Sequence, residues 1–307
     1  MTIKNNNKIL IVGYGQDAKV LKNQALKQKK KIYILTKSKK NKNEKNVFFK
    51  TLEISNQKEV FRYLKNFKNL DIYFFATHNI SSSERENSTI FYKNLKTNVI
   101  SLTNFLDFMC KNKKRNFKLF YTCSSRIFEK SLASKQNEKT PPAFTSYYAL
   151  TKYLGLEICH YYRDVKKIFC SVGILYTHVS KHVSNNFLIK ELSIKIKKSK
   201  NKKVFVRNIN SKIDLMSATD AVLAMTSIMD LDKPDTFIIS SGKKTSIKTI
   251  FNEILNLNKI KKNIIILNKK KLVKNEQTLF GDNNKLKIKT KWSIKHNLKD
   301  IIKEVLN

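Results

Sequence analysis

Residues 8–18 read Lys8-Ile9-Leu10-Ile11-Val12-Gly13-Tyr14-Gly15-Gln16-Asp17-Ala18. The first five form a short apolar run that ends at a glycine, as a strand buried on both faces does. The next six fit G-x-G-x-x-G/A, and a helical pattern follows over 17–28. Each position has a physical task. Gly13 permits the tight turn, Gly15 lets backbone approach a pyrophosphate, and Ala18 allows close helix packing. The start of the helix then faces the anion with unpaired N–H groups. A glycine turn alone is weak evidence. With a strand before it and a helix after it, this turn has the context that dinucleotide binding requires.

Outward from this turn, strands and helices alternate. Strand-like runs are expected at 31–35, 46–49, 71–76, 117–123 and 168–175. Helical apolar spacing covers 56–67, a long stretch from 89 to 112, and 147–165. This alternation predicts an α/β fold: a Rossmann-type doubly wound parallel sheet covered on both faces. We expect a dinucleotide-binding domain over 1–175, with 214–240 returning to it. The rest of 176–307 reads as a smaller, mainly substrate-binding lobe.

The charge is lopsided. Sixty-two basic residues face 23 acidic ones, a formal net charge of +39. Such a charge can mark nucleic-acid or anionic-membrane binding. Only six basic residues are Arg, however, and the Lys are spread over the whole chain. A phosphate-reading surface would be richer in the bidentate Arg fork. We therefore expect neither nucleic acid nor membrane as a partner. No run reaches the roughly 18 apolar residues of a membrane span, and no export signal is visible, so a cytoplasmic location is expected. Cys110, Cys123, Cys159 and Cys170 form no C-x-x-C pair, and the five His form no H-E-x-x-H. We expect no metal.

The end of the second strand chooses the cofactor. An Asp or Glu there would hold the ribose hydroxyls of NAD. This chain has Thr36-Lys37-Ser38-Lys39 instead, whose cations and hydroxyls suit the extra phosphate of NADP, with NAD the alternative. The same lysines could also be part of the Lys-rich background. Glu53, beyond the third strand, reads either as an adenine contact or as a solvated carboxylate.

Tyr148 and Lys152 stand four apart, on one face of a predicted helix. An ammonium beside a phenol favours the phenolate, so Tyr148 is the candidate for proton transfer near neutral pH. Ser124 ends the fifth strand, where its hydroxyl can bond a substrate alcohol or carbonyl. Y-x-x-x-K is common by chance in a Lys-rich chain. Joined to the glycine turn and the strand-end serine, it becomes a catalytic constellation.

With these residues in place, the sequence resembles the extended short-chain dehydrogenases/reductases of the sugar-nucleotide epimerase/dehydratase type. The likeness is strongest to the GDP-mannose 4,6-dehydratases. It runs through Gly13 to Ala18, Thr97-Asn98-Val99, Ser146 to Lys152, Val172 to His182, Asp214 with Asp220, and Gly281-Asp282 with Trp292. The resemblance implies that Tyr148 moves the proton, that Lys152 holds the nicotinamide ribose and lowers the tyrosine pKa, and that Ser124 aligns the substrate oxygen. It adds Gln16 and Asp17 to Gly13, Gly15, Lys37, Ser38, Lys39 and Glu53 as the cofactor-binding set. Asn98 would be structural or cofactor-adjacent. Arg126, Thr177, His178 and Lys212 fall at substrate-binding positions. A GDP-linked sugar and a homodimer or homotetramer are the partners implied.

The departures set the reaction. The dehydratases carry a Glu two residues after the catalytic hydroxyl, and this chain has Arg126. A guanidinium stays protonated and cannot take the C5 proton. Glu129 is the nearest carboxylate in sequence and is expected to point elsewhere. Ile213 stands where the family has an Arg, leaving Lys212 as the substitute. We therefore expect an NADP-dependent enzyme acting at sugar C4, as a reductase or epimerase rather than a dehydratase. A cofactor-binding protein without turnover, serving as a partner or sensor, is the alternative, and a nucleic-acid binder is a remote one. Because Lys37, Ser38 and Lys39 replace the ribose-binding acid, NADPH should bind more tightly than NADH. Fluorescence titration with both checks this, and equal affinity or a preference for NADH refutes it.

Overall fold

A computed structural model of the chain describes residues 7–38, 42–78, 86–185, 187–199, 203–259, 265–269 and 279–306. The strands are β1 (Lys8–Val12), β2 (Lys31–Thr36), β3 (Val47–Thr51), β4 (Asn69–Phe74), β5 (Asn116–Ser124), β6 (Cys170–Leu175), β7 (Thr177–Val179), β8 (Lys203–Arg207), β9 (Lys212–Ile213), β10 (Leu215–Ser217), β11 (Thr236–Ile239), β12 (Thr245–Ser246) and β13 (Ile265–Lys269). Seven form one parallel sheet in the order β11-β6-β5-β4-β1-β2-β3. The order reverses at β1, between β2 and β4. Open α/β sheets bind ligands at such a switch point, beyond the carboxyl ends of the strands.

The sheet is buried because its strands are apolar on both faces. Leu10 and Val12 pack with Leu70, Ile72 and Phe74 in one cluster, while Ile9 and Ile11 pack with Ile32 and Ile34 in the other. The second cluster also takes in Ala218 to Met229, so that helix covers the sheet together with α1 (Gln16–Lys27). A third cluster stands apart. Val179, Ile189, Val204, Leu215, Ile250, Phe251 and Ile302 close a lobe of helices around short strand pairs.

The long helical stretch expected from 89 to 112 is not uniform. It runs as an α-helix over Ser88–Leu95, a π-helical turn over Lys96–Ile100, and an α-helix over Ser101–Lys111. The π turn holds Thr97-Asn98-Val99, and its extra residue re-aims the side chains it carries. The strand expected from 168 begins at Cys170. The helix Tyr147–Asp164 ends there through left-handed Lys167, φ 59°, and the Ile168 amide bonds back to Tyr162.

That helix packs closely on β5. A Cβ at Gly155 would lie 2.6 Å from Cζ of Tyr121, whose side chain is fully buried. Alanine is favoured over glycine in a helix by about 0.5–1 kcal/mol. Overpacking a filled core costs about 1–3 kcal/mol, so the clash should win. Gly155→Ala is expected to destabilise the chain by about 1–2 kcal/mol in denaturant melts. Tyr121→Phe in the same chain should restore part of the loss, because the hydroxyl is the nearest atom. An unchanged midpoint would refute the close packing.

Candidate active site

Gly13 ends β1 with φ +93°, a conformation that L side chains rarely adopt. A Cβ there would also meet Ala76 backbone atoms at 2.8 Å. The Gly13 amide donates to the Leu35 carbonyl at 2.9 Å, tying the turn to β2. Gly15 has nothing within 4 Å of where a Cβ would stand. The turn therefore opens onto a cleft of about 470 Å³, lined by Gly13, Gly15, Leu35, Thr36, Lys37, Ser38, Leu52, Ile54 and Thr77 among others. Its shape and lining fit the adenosine and pyrophosphate part of a dinucleotide: open space over Gly15, a helix N-terminus, apolar walls, and a cation with hydroxyls at the ribose end.

Lys37 and Ser38 line this cleft, while Lys39 lies outside the described residues. Glu53 is half-exposed at its edge, between the lining residues Leu52 and Ile54. Its carboxylate accepts from the Ser55 hydroxyl at 2.7 Å and pairs with Lys96 at 3.7 Å. The Ser55 bond, against a small opposing effect of burial, holds the carboxyl below its usual range.

Gln16 and Asp17 do something the glycine pattern did not foretell. They bond to the strand that leads into the smaller lobe. The Gln16 side-chain oxygen accepts from the Ser180 amide at 2.8 Å, and its Nε2 donates to the His178 carbonyl at 3.2 Å. His178 Nε2 meets the Asp17 carboxylate at 3.0 and 3.1 Å, while Nδ1 stands 2.8 Å from the Tyr176 carbonyl. Both ring nitrogens are thus engaged inside the protein. This corrects the expected substrate-binding role of His178: the ring has no polar atom left for a ligand. Thr177 and Lys212 are exposed on β7 and β9, on separate strands from the Tyr148 group.

The chemical centre lies where β5 ends. Ser124 caps the short 3-10 turn Ser125–Phe128, its hydroxyl accepting from the Arg126 amide at 3.3 Å. Ser146 caps the helix Tyr147–Asp164, and that start places Tyr148 at the strand end. The Ser124 and Thr77 hydroxyls neighbour that of Tyr148, and both act to lower its pKa. Thr77 in turn donates to Asn98 at 3.0 Å, and Asn98 donates to Thr151 at 3.0 Å, one turn from Tyr148. The π turn is what brings the buried Asn98 to both. Sequence reading missed Thr77, a hydroxyl just past β4 with no motif around it.

Lys152 lies beneath, 2 % exposed, its Nζ donating to the Thr122 carbonyl at 2.8 Å. Burial brings its ammonium down to about 8. Two expectations need correcting here. Burial holds the Tyr148 hydroxyl above its ordinary range. The cation that counters this is Arg126, 5.8 Å from the centre of the Tyr148 ring. The Lys152 ammonium is turned to the Thr122 carbonyl. Glu129 does not point elsewhere either: it binds Arg126 Nε and accepts from Thr145 at 3.1 Å. The 3-10 turn brings residues three apart onto one side, which makes the pair.

A parallel sheet with a glycine turn at its switch point, and Ser, Tyr and Lys at the adjoining strand end, defines the extended short-chain dehydrogenase/reductase class. The chain belongs to the GDP-mannose 4,6 dehydratase family, whose profile matches residues 8–305. It is 28% identical over 138 residues to the GDP-mannose 4,6 dehydratase of Drosophila melanogaster, covering 44% of this chain and 35% of that one. Against the Dictyostelium discoideum protein of the same name it is 25% identical over 215 residues, 63% of this chain and 60% of that one. The aligned part thus spans between about a third and three fifths of these relatives' length. Among solved structures, the UDP-glucose 4-epimerase of Brucella ovis in complex with NAD superposes with a TM-score of 0.83 at 14% identity, covering 97% of each chain. The dTDP-glucose 4,6-dehydratase of Bacillus anthracis in complex with NAD gives 0.80 at 17%, covering 97% of this chain and 95% of that one. These structures share the fold. Among the described residues, no helix is long and apolar enough to cross a membrane, and no group of His, Cys, Asp and Glu is set to hold a metal.

The Asp17–His178 pair generates a pH prediction. Burial opposes the imidazolium, but the Asp17 carboxylate outweighs it and raises His178 to about 9. Burial likewise opposes the Asp17 carboxylate, and His178 outweighs it, so Asp17 is lowered. The His178 contribution is complete below its ordinary 6.5 and is lost as pH rises through about 9. The Asp17 contribution is present above 3.8 and is lost as pH falls below that. His178→Gln should therefore destabilise by about 3 kcal/mol near pH 6, as breaking a largely buried pair does. The deficit relative to wild type should shrink above pH 9. Lys152 titrates in the opposite sense, so the difference between the two proteins is the quantity to measure. A deficit constant from pH 6 to 10 would refute the pairing.

Proposed function

We propose that the chain is an NADP-dependent enzyme acting at C4 of a nucleotide-linked sugar, GDP-linked by family, and that it reduces or epimerises rather than dehydrates. The observation that supports the chemistry is the Ser124–Tyr148 hydroxyl pair at the carboxyl edge of the sheet, beside the dinucleotide cleft. Lys37 and Ser38 at the ribose end support NADP. Arg126, two residues beyond Ser124, supports the choice of reaction.

When bound, the nicotinamide accepts or supplies the hydride at sugar C4. The protein's own residues do the rest. Ser124 aligns the C4 oxygen. Tyr148 takes or returns its proton, a transfer of the general acid–base type. Burial disfavours the phenolate and outweighs the neighbouring Ser124 and Thr77 hydroxyls and the Arg126 charge, which favour it. Lys152, one helical turn on, is the family's ribose holder and keeps its charge at neutral pH. Asn98 of the π turn holds Thr77, whose hydroxyl neighbours that of Tyr148.

Forming a 4-keto-6-deoxy sugar requires a base at C5. Glu129 is the carboxylate at hand, and it is tied to Arg126 and Thr145. Incubated with GDP-mannose and NADP, the protein should make less than about one equivalent of that product. Product over many turnovers would overturn the proposal. With a panel of 4-keto nucleotide sugars and NADPH, the wild type should reduce at least one. Tyr148→Phe should lower that turnover by roughly 10²–10⁴-fold. A protein that binds NADPH but turns over no 4-keto or 4-hydroxy nucleotide sugar would be the cofactor-binding partner or sensor instead.

A further inference from the structure

We infer that Arg126 is a carboxylate-reading subsite, so that the sugar taken is a nucleotide-linked hexuronate rather than a neutral hexose. This rests on the reading of Tyr148 and Ser124 just given. Arg126 occupies the turn that leaves β5, and its side chain is 45% exposed. It is therefore not a core cation. Its guanidinium lies 5.8 Å from the Tyr148 ring centre, alongside the group that handles the reacting hydroxyl. A sugar whose reacting hydroxyl met Tyr148 would turn the substituent on the neighbouring carbon toward this fork.

The way the fork is held matters. A guanidinium carries five N–H donors in one plane. Among the described residues, Nε is the one Arg126 side-chain nitrogen with an acceptor, Glu129. Glu129 is itself anchored by Thr145 and is only 18% exposed. Held by its Nε edge, the group keeps its terminal N–H groups for a ligand. Such an edge matches a planar two-oxygen anion, which it can bind bidentately. A hydroxymethyl group offers one oxygen and no charge. Glu129 acts here as a positioning residue, fixing the plane of the fork. It also offsets the bare charge, so geometry rather than long-range attraction makes the discrimination. A merely structural surface pair would need only one contact, and a lysine would serve it equally well.

Calorimetric titration of the full chain loaded with NADPH tests this, using GDP-mannuronate against GDP-mannose and UDP-glucuronate against UDP-glucose. In at least one pair, the acid should bind roughly 10–100-fold more tightly, the scale of charge-assisted hydrogen bonding. R126Q should bring the ratio close to one, and R126K, which keeps the charge without the fork, should leave a reduced ratio. E129Q, which loosens the fork, should weaken the preference less than R126Q does. NADPH binding confirms that each variant is folded, and R126K decides alone if R126Q is not. Equal binding of acid and neutral sugar by the wild type overturns the proposal alone, as does a ratio unchanged by R126Q or, in its absence, by R126K. If no sugar of either pair binds while NADPH does, the nucleotide-sugar reading falls and the proposal with it.

Discussion

The site depends on one backbone-to-backbone approach. Gly13 passes so near Ala76 that no side chain could stand between them. That contact lets β1 end level with β4 and open the crevice where strand order reverses. The Leu35 carbonyl receives the Gly13 amide and fixes the turn from the other side. Everything that faces the cleft is then placed by strand register. Thr36 is the last residue of β2, Thr77 stands three residues past β4, and Ser124, beside the cleft, is the last residue of β5.

Burial sets the electrostatics of the chemical centre. Burial makes the Lys152 ammonium give up its proton more readily and the Tyr148 phenol keep its proton more tightly. These two shifts act against the simple picture of a lysine that ionises its neighbouring tyrosine. The countering charge comes from Arg126, on a turn rather than on the helix. Under the proposed carboxylate reading, this residue at the edge of the site would both tune the proton and read the ligand, and substituting it would change both.

Much of this was legible in the residues because the signals were local. The apolar run 8–12, the glycines after it, and the four-residue spacing of Tyr148 and Lys152 carry their meaning within a few positions. What escaped reading depends on distance or on a broken period. Asp17 and His178 stand 161 residues apart, and no pattern joins them. The π turn at Lys96–Ile100 leaves the apolar spacing of the long helical stretch nearly intact, so the spacing does not show how it aims Asn98. The setting of Glu129 escaped reading because nothing in the local sequence announces the 3-10 turn that sets it beside Arg126. The direction of the Lys152 ammonium could not be read from spacing either. Helix geometry puts it on the face of Tyr148, and the Thr122 carbonyl then claims it.

The bonds from Gln16 and Asp17 to His178 and Ser180 have a consequence for modularity. They stitch the first turn of the phosphate-facing helix to the segment just past β6. An excised piece ending at Leu175 would keep six of the seven sheet strands and the whole glycine turn. It would still leave a carboxylate beneath that turn without its imidazole, and a glutamine without its strand. The nucleotide-facing half is therefore not a self-sufficient cassette. Its most anion-attentive element is finished by residues that the chain supplies only after the crossover into the other lobe, so a transplant must carry that strand with it.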